Sequence, residues 1–181
     1  SDKPTPLEAE ALLSGIMLDT RTFSLHVGVR TFEAAAYLRR MGAQTEPVKK
    51  LFASSMNDYL YRSHLVSQAK VTQGGAVALR DQVPAECEVV APQAANDLLT
   101  IAGVDASFVG IEVGGQVRIS ARSMGEVNVQ LVMEKVGGGG HLTMAGAQIK
   151  GKSLNDVAAM LNDAIRSYWA EHKPVSYSTL T

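Results

Sequence analysis

The sequence predicts an α/β protein in which a helical N-terminal piece precedes a small α/β domain with a mixed sheet. Through residues 7–70 the apolar residues recur at the spacing of successive helices. After Lys70 the period changes to two, and strand patterns then alternate with helical ones. These observations divide the chain into a helical piece at 1–70, a connector at 71–82, the α/β domain at 83–172 and a tail at 173–181.

The composition is that of an ordinary globular protein, with 181 residues, 46% hydrophobic and 19% charged. With a net charge of −1, the chain has no overall excess of basic residues of the kind that binds duplex DNA. Cys87 is the one cysteine, which excludes an internal disulfide and a cysteine-based zinc cluster. Because we find neither a signal-peptide pattern nor an apolar run long enough to span a bilayer, we expect a cytoplasmic domain.

Four helices are predicted in the first piece, at about 7–18, 31–41, 45–55 and 57–70. Thr31 and Thr45 are placed to cap the second and third helices, and Gly42 ends the second. The first helix is apolar on nearly every side, which predicts burial within more protein than a terminal helix normally contacts. We therefore interpret the piece as the end of a larger domain.

Asp19 follows directly after the first predicted helix. A carboxylate at this position faces the negative end of the helix dipole and, if it is buried, needs a cation beside it. Two interpretations stay open, a surface ion pair with Arg21 or a metal ligand.

In the α/β domain the clearest signal is a hairpin, because two arms of alternating apolar residues flank Gly114-Gly115. The alternation places Arg118, Ser120 and Arg122 on one face of the second arm. The other predicted elements are strands at Val71, 76–79 and 88–91, a helix from Pro92 to about 102, a helix at 128–136, a strand at 145–149, and a helix from Ser153 to about Trp169.

Four glycines, Gly137 to Gly140, follow the helix that Asn128 is placed to cap, and His141 comes next. Consecutive glycines cost backbone entropy on folding, so this run indicates a place where positive φ or a close approach to the backbone is required. Unpaired backbone N–H groups beside an imidazole suit an anion, most often a phosphate. The alternative is a helix C-cap that continues into a loop. The polar residues Arg122, Ser123 and Asn128 ahead of the helix favour the phosphate site.

Several other chemistries find no support in the sequence. It has no dinucleotide-binding or Walker glycine motif, and no nucleophile elbow. The four histidines lie far apart, without the spacing of metal ligands on one helix.

The motif that begins Arg122-Ser-Met-Gly, continues with Asn128-Val and ends in Gly-Gly-Gly-Gly-His141 resembles the DHH-associated domain of DHH phosphoesterases. The segment that leads to Asp19-Thr20, together with residues 28–42, is similar to the branch that hydrolyses cyclic di-AMP, the GdpP/YybT type. The resemblance covers residues 7–172.

This resemblance implies the helical end of a DHH domain followed by a small DHH-associated domain. In the family the DHH domain holds two Mn²⁺ ions on an Asp/His cluster, and the associated domain binds the substrate. Asp19 matches the last metal-ligand Asp. His141 would donate to a phosphoryl oxygen, together with the N–H groups of residues 138–140. The residues that match the substrate-binding element are Arg122, Ser123, Asn128, Gly137, Gly138, Gly139, Gly140 and His141.

The chain lacks the upstream metal motifs of the family, including Asp-His-His itself, so it contains no complete catalytic set. The resemblance therefore implies a parent that opens cyclic di-AMP to linear pApA, of which this chain is a substrate-binding portion without turnover. Its partners would be the nucleotide, the upstream DHH domain and, because an exposed apolar helix invites association, a second copy. Parents of this type carry transmembrane, PAS and degenerate GGDEF regions, which implies an anchor in the bacterial cell membrane.

Two other functions stay open. One is a nanoRNase or exonuclease that acts on short oligonucleotides, although the near-neutral charge disfavours long polyanions. The other is a non-catalytic module that binds the nucleotide only to sense it.

Overall fold

A computed structural model describes residues 3–24, 27–72 and 75–172, which form two compact units, Ser1–Ser54 and Ser55–Thr181. The helices are α1 (Pro6–Asp19), α2 (Val29–Arg40), α3 (Thr45–Leu51), α4 (Met56–Ser67), α5 (Val90–Leu98), α6 (Val129–Glu134) and α7 (Leu154–Glu171), with a 3₁₀ helix at Ala85–Cys87. The strands are β1 (Lys70–Thr72), β2 (Gly75–Arg80), β3 (Ala106–Val113), β4 (Gln116–Ser123), β5 (Gly139–Gly140) and β6 (Met144–Lys150). None of the helices in the described part of the chain is long and apolar enough to cross a membrane.

The first unit consists of α1, α2 and α3 around a small apolar core. Leu13 of α1, Leu38 of α2 and Val48 of α3 are buried together. The prediction that the first helix is buried on nearly every side is wrong for this chain, because α2 and α3 cover only part of it. Its exposed apolar residues are Leu7, Leu12 and Leu18.

The second unit is a six-stranded mixed sheet in the order β1-β2-β3-β4-β6-β5, which confirms the predicted fold class. β2 and β3 run parallel, and the other neighbours are antiparallel. On one face α6 and α7 pack with Phe108 and Val117. On the other face α4 and α5 pack with Val109 and Ile111.

The hairpin of β3 and β4 is confirmed, with positive φ at both Gly114 and Gly115 as a two-residue turn requires. The burial of β4 alternates along its length. Its apolar residues enter the core under α6 and α7, so Arg118, Ser120 and Arg122 lie on the opposite face, the one on which α5 packs. The last helix also begins as predicted, at a capping box of Ser153 and Asp156.

The predicted boundary at residue 70 differs from the division of the structure, which comes after Ser54. α4 belongs to the second unit because Leu65, which is 1% exposed, packs into the core with α5. The predicted connector at 71–82 contains strand residues of β1 and all of β2. Residues 73–74 of the predicted connector and the whole tail at 173–181 lie outside the described residues.

The strand predicted at 88–91 is wrong, because Glu88 and Val89 form a turn and α5 begins at Val90. A short apolar run does not distinguish a strand from a buried helix. Pro92 lies in the first turn of α5, where its missing N–H removes no intrahelical bond. The two-residue strand β5 has no signal in the sequence pattern, because glycines carry no side chains to alternate.

Candidate functional site

The first two glycines of the run end α6. The N–H of Gly137 donates to the carbonyl of Glu134 (3.1 Å), and the N–H of Gly138 donates to that of Met133 (2.8 Å). Gly137 has a φ of +81°, the left-handed conformation that such a helix end requires. The expectation that the Gly138 N–H is available to a ligand is therefore wrong, and the C-cap interpretation holds for these two residues.

The next two glycines form β5, whose Gly139 pairs with Gly146 of β6. Gly140 has a φ of +148°, and a Cβ built on it would lie 2.5 Å from Cα of Ala145. The close approach of two backbones, rather than flexibility, therefore explains this glycine. His141 and Met144 exchange hydrogen bonds, so the alternation of an antiparallel ladder makes Gly139 and Gly146 the next hydrogen-bonded pair. Any backbone donation from this loop to a ligand therefore falls to Gly140.

Gly138→Ala should destabilise the protein, whereas Gly139→Ala serves as its matched control. A Cβ on Gly138 would lie 2.7 Å from Cβ of Ala147 and would also clash with the carbonyl of Gly146, but a Cβ on Gly139 has nothing within 4 Å. We expect Gly138→Ala to lower the free energy of unfolding by about 1–3 kcal/mol, the usual cost of overpacking. Equal midpoints of the two variants in thermal denaturation would contradict this account.

Residues His141 to Met144 form the tight turn between β5 and β6. The N–H of His141 donates to the carbonyl of Met144 (2.7 Å), and the N–H of Met144 donates back to that of His141 (3.3 Å). The backbone of His141 is thus held while its side chain is exposed. The turn presents an imidazole to solvent on a rigid support.

Two neighbouring segments hold this turn through its carbonyl groups. The carbonyl of Leu142 accepts from the Ser123 hydroxyl (3.3 Å) and from the N–H of Val129 (3.1 Å). The carbonyl of Thr143 accepts from the N–H of Ser123 (3.0 Å). Ser123 is 3% exposed, so its side chain fixes the turn from inside the domain.

Arg122 lies beside the same turn, because it pairs with Met144 across β4 and β6. It is half-buried, and its Nη1 donates to the carbonyl of Ala121 (2.9 Å). The structure therefore gathers the end of β4, the start of α6 and the His141 turn at one place. Those segments contain Arg122, Ser123, Asn128 and His141.

Asn128 is the N-cap of α6, as predicted. Its Oδ1 accepts from the N–H of Gln130 (3.1 Å), and its own N–H donates to the hydroxyl of Tyr168 (2.9 Å). The cap orients α6, whose first N–H donates to the carbonyl of Leu142. The structural role of Asn128 is thus defined, and a role in substrate binding is a separate proposal.

Asn128→Ser and Asn128→Ala separate these two roles. Serine caps a helix about as well as asparagine, whereas alanine loses about 0.5–2 kcal/mol. We expect Asn128→Ser to keep the melting temperature and Asn128→Ala to lower it. If the amide also donates to the nucleotide, Asn128→Ser should weaken binding without loss of stability; unchanged affinity would leave Asn128 as a cap alone.

Asp19 is the exposed last residue of α1, and an unusual turn follows it. Arg21, Thr22 and Phe23 all have positive φ, at 46°, 56° and 62°. Left-handed conformations of non-glycine residues cost of order 1–3 kcal/mol each and persist only where the surroundings enforce them. None of the ion pairs among the described residues joins Asp19 to Arg21, so the predicted surface pair is not formed.

Thr20 enforces this turn. Its hydroxyl donates to the carbonyl of Ile16 (2.7 Å) and accepts from the N–H of Phe23 (3.0 Å), and Thr20 is 3% exposed. The ring of Phe23 stacks on that of Phe32 at a centroid distance of 5.6 Å. The carboxylate of Asp19 is therefore carried on a fixed backbone. Within residues 3–24, 27–72 and 75–172, no three His, Cys, Asp or Glu side chains lie close enough together to hold a metal ion.

An open cleft of about 550 Å³ lies beside the glycine run. The alternation of β4 indicated two of its polar residues, Arg118 and Ser120. Nothing in the sequence indicated that Glu88 and Gln148 would line it with them, because they come from distant segments that only the folded domain brings together.

The comparisons with known proteins agree with this fold. The DHHA1 domain family matches residues 87–167. The chain is 46% identical over 175 residues to the cyclic-di-AMP phosphodiesterase GdpP of Geobacillus thermodenitrificans, which covers 96% of this chain and 27% of the relative. It is 42% identical over 165 residues to the cyclic-di-AMP phosphodiesterase PdeA of Listeria monocytogenes, which covers 90% of this chain and 25% of the relative.

Among solved structures, an exopolyphosphatase-related protein from Bacteroides fragilis has a TM-score of 0.81 at 21% identity, over 94% of this chain and 53% of that one. At this identity the likeness shows the fold alone. The sequence matches show more: residues 87–167 belong to the DHHA1 domain family. Within it, the chain resembles phosphodiesterases of the GdpP type, and it spans about a quarter of their length.

Proposed function

We propose that this chain is the substrate-binding portion of a metal-dependent phosphodiesterase that opens cyclic di-AMP to linear pApA. By itself it binds the nucleotide without turnover. The observation that carries the proposal is the clamped turn at His141, with Arg122 beside it on the neighbouring strand. The relatives named as cyclic-di-AMP phosphodiesterases support the choice of substrate.

In this proposal the exposed imidazole of His141 donates an N–H to a phosphoryl oxygen, and the guanidinium of Arg122 pairs with the same phosphate. Donors held in place before the ligand arrives stabilise developing charge without a cost of reorganisation. Gly140 supplies any backbone N–H group, because Gly139 is hydrogen-bonded to Gly146 in the ladder. Ser123 acts through the turn, because its hydroxyl is bonded to the carbonyl of Leu142.

The proposal includes two Mn²⁺ ions in the full-length parent. Asp19 is one of the residues that bind them. An exposed carboxylate on a fixed backbone, at the negative end of the α1 dipole, fits a hard divalent cation. Bound there, such ions would activate a water and stabilise the attacking and leaving oxygens at phosphorus. Asp19 is the single metal ligand that this chain supplies, so the other ligands come from the upstream DHH domain.

That domain, or a second copy of the chain, would also cover the exposed apolar side chains of α1. The resemblance to the GdpP type further supports an anchor of the parent in the bacterial cell membrane, with this portion on the cytoplasmic side. Fractionation of cells that express the full-length protein tests the anchor, because the protein should sediment with the membranes.

The function is tested by calorimetric titration of cyclic di-AMP and of linear pApA into this chain with Mn²⁺, followed by chromatography of the mixtures. We expect binding and no product. Product from the chain alone would contradict the proposal that its metal site is incomplete. A clear preference for linear oligonucleotides would favour the nanoRNase alternative, and no binding of either nucleotide would overturn the assignment of the turn.

A further inference from the structure

The cleft beside the glycine run lies on the face of the sheet that carries α5. Its floor is formed by β4 and β6, where Arg118 pairs with Gln148 and Ser120 pairs with Gly146. Gly137 and Gly138 form one side, and the start of α5 forms the other. Its volume of about 550 Å³ falls in the range of small-molecule sites, about 300–1,000 Å³.

The charges in this cleft are balanced. The guanidinium of Arg118 forms an ion pair with the carboxylate of Glu88. Gln116 also contacts Arg118. When its side-chain amide is oriented with the oxygen toward Arg118, that oxygen accepts from Nη2 (3.0 Å) and Nε (3.1 Å). Glu88 stands just before α5, where its charge complements the helix dipole as well. No excess positive charge is left for a phosphate.

The remaining surface suits a flat ring with polar edges. Val89, which is 47% exposed, and Pro92 supply apolar surface on the α5 side. Gly137 also lines the cleft, and a Cβ built on it would have nothing within 4 Å, so its backbone leaves room for the close approach of a ring. The Ser120 hydroxyl, the Gln148 amide and the Glu88 carboxylate provide hydrogen-bonding groups for sugar hydroxyls and base edges.

We propose that this cleft is a nucleoside subsite, which holds one nucleoside of the dinucleotide while the adjoining phosphate contacts the His141 turn. The inference rests on the proposed function, because it assigns the phosphate to that turn. Gly138 of the cleft and His141 are three residues apart, which is at most about 10 Å of extended chain. One nucleotide therefore bridges the two places. The ion pair with Arg118 holds the Glu88 carboxylate in place at the wall of the subsite, where it accepts from the nucleoside.

Two probes separate the subsite from the phosphate site. Adenosine, which carries no phosphate, is titrated into isotopically labelled protein and followed by the amide resonances of Gly137, Gly138 and Gly146. Inorganic phosphate is titrated in the same way and followed at His141. We expect saturable shifts at the three glycines with adenosine, and at the turn with phosphate.

Variants then assign each effect. Ser120→Leu fills the cleft and should abolish the adenosine shifts while the phosphate shifts remain. Gln148→Ala, at an exposed position that tolerates the change, should raise the adenosine Kd by about 2- to 10-fold for the lost hydrogen bonds. The control Asn155→Ala removes an exposed amide from α7, which packs on the other face of the sheet, and should change nothing.

The outcomes are distinguishable. Adenosine shifts that are absent, or that survive both Ser120→Leu and Gln148→Ala, overturn the subsite. If Ser120→Leu fails to fold, Gln148→Ala decides by itself. Phosphate shifts that are absent from the turn, or unchanged by His141→Ala, overturn the proposed function instead, whatever adenosine does.

Discussion

Asp19→Ala is expected to abolish the proposed Mn²⁺-dependent phosphodiesterase activity of the full-length parent. Even the loss of an outer partner of a metal ligand typically costs 10- to 100-fold, so the loss of a ligand should lower kcat by at least about 100-fold. Stability should stay the same or rise by up to about 1 kcal/mol, because the variant removes a negative charge from the negative end of α1. Initial rates and thermal denaturation of the same preparation measure both effects.

Glu33→Ala is the matched control for this variant. Glu33 is an exposed carboxylate of α2 in the same unit, and it follows no strained turn. Its loss should leave both the rate and the melting temperature unchanged. Activity retained by Asp19→Ala would remove Asp19 from the metal site, and the strained turn at Arg21 to Phe23 would then need another explanation.

His141→Ala is expected to weaken the binding of cyclic di-AMP by about 10- to 100-fold. A hydrogen bond to a charged group contributes about 1.5–3 kcal/mol, and each 1.4 kcal/mol is a factor of ten in Kd. The melting temperature should hardly change, because the imidazole is exposed and the turn is held by backbone groups that alanine keeps. Calorimetric titration and thermal denaturation check the two halves of this prediction.

His141→Gln tests the reason for that loss, because glutamine restores an N–H donor of similar reach. It should recover part of the affinity that alanine loses. A drop of more than about 1 kcal/mol in the stability of His141→Ala would instead make His141 a structural residue, and its assignment to the phosphate would fail. Surface changes away from special features usually stay within about 0.5 kcal/mol.

The glycine run has a structural role that its motif did not indicate. As a motif it suggested a row of backbone donors for a phosphate. In the folded chain, Gly137 and Gly138 end α6, and Gly139 and Gly140 form an edge strand. The candidate ligand contact moves to His141, at the turn that this arrangement holds in place. The close packing of β5 on β6 by itself explains why glycine is needed in this run.

Several patterns that depend on near neighbours in the chain were predicted well. The hairpin around Gly114-Gly115, the cap at Asn128 and the start of the last helix at Ser153 are confirmed, because each is decided by backbone geometry and bonds within a few residues. The alternation of β4 predicted which of its residues leave the core. The caps predicted at Thr31 and Thr45 are wrong, because Gly28 is the N-cap of α2 and Gln44 that of α3. The start of the helix at 90–98 was predicted two residues too late, because the short apolar run at 88–91 is compatible with either period.

The sequence by itself determined the fold class and the family motif, and it predicted the residues of a candidate phosphate site, since all of these depend on local patterns. Only the tertiary structure decided which groups remain available to a ligand. It showed that the Gly138 N–H is used within the domain, that Ser123 supports the turn from inside, and that Glu88 neutralises Arg118. Partners far apart in the chain satisfy these groups, and no local pattern encodes which distant partner a polar group will find.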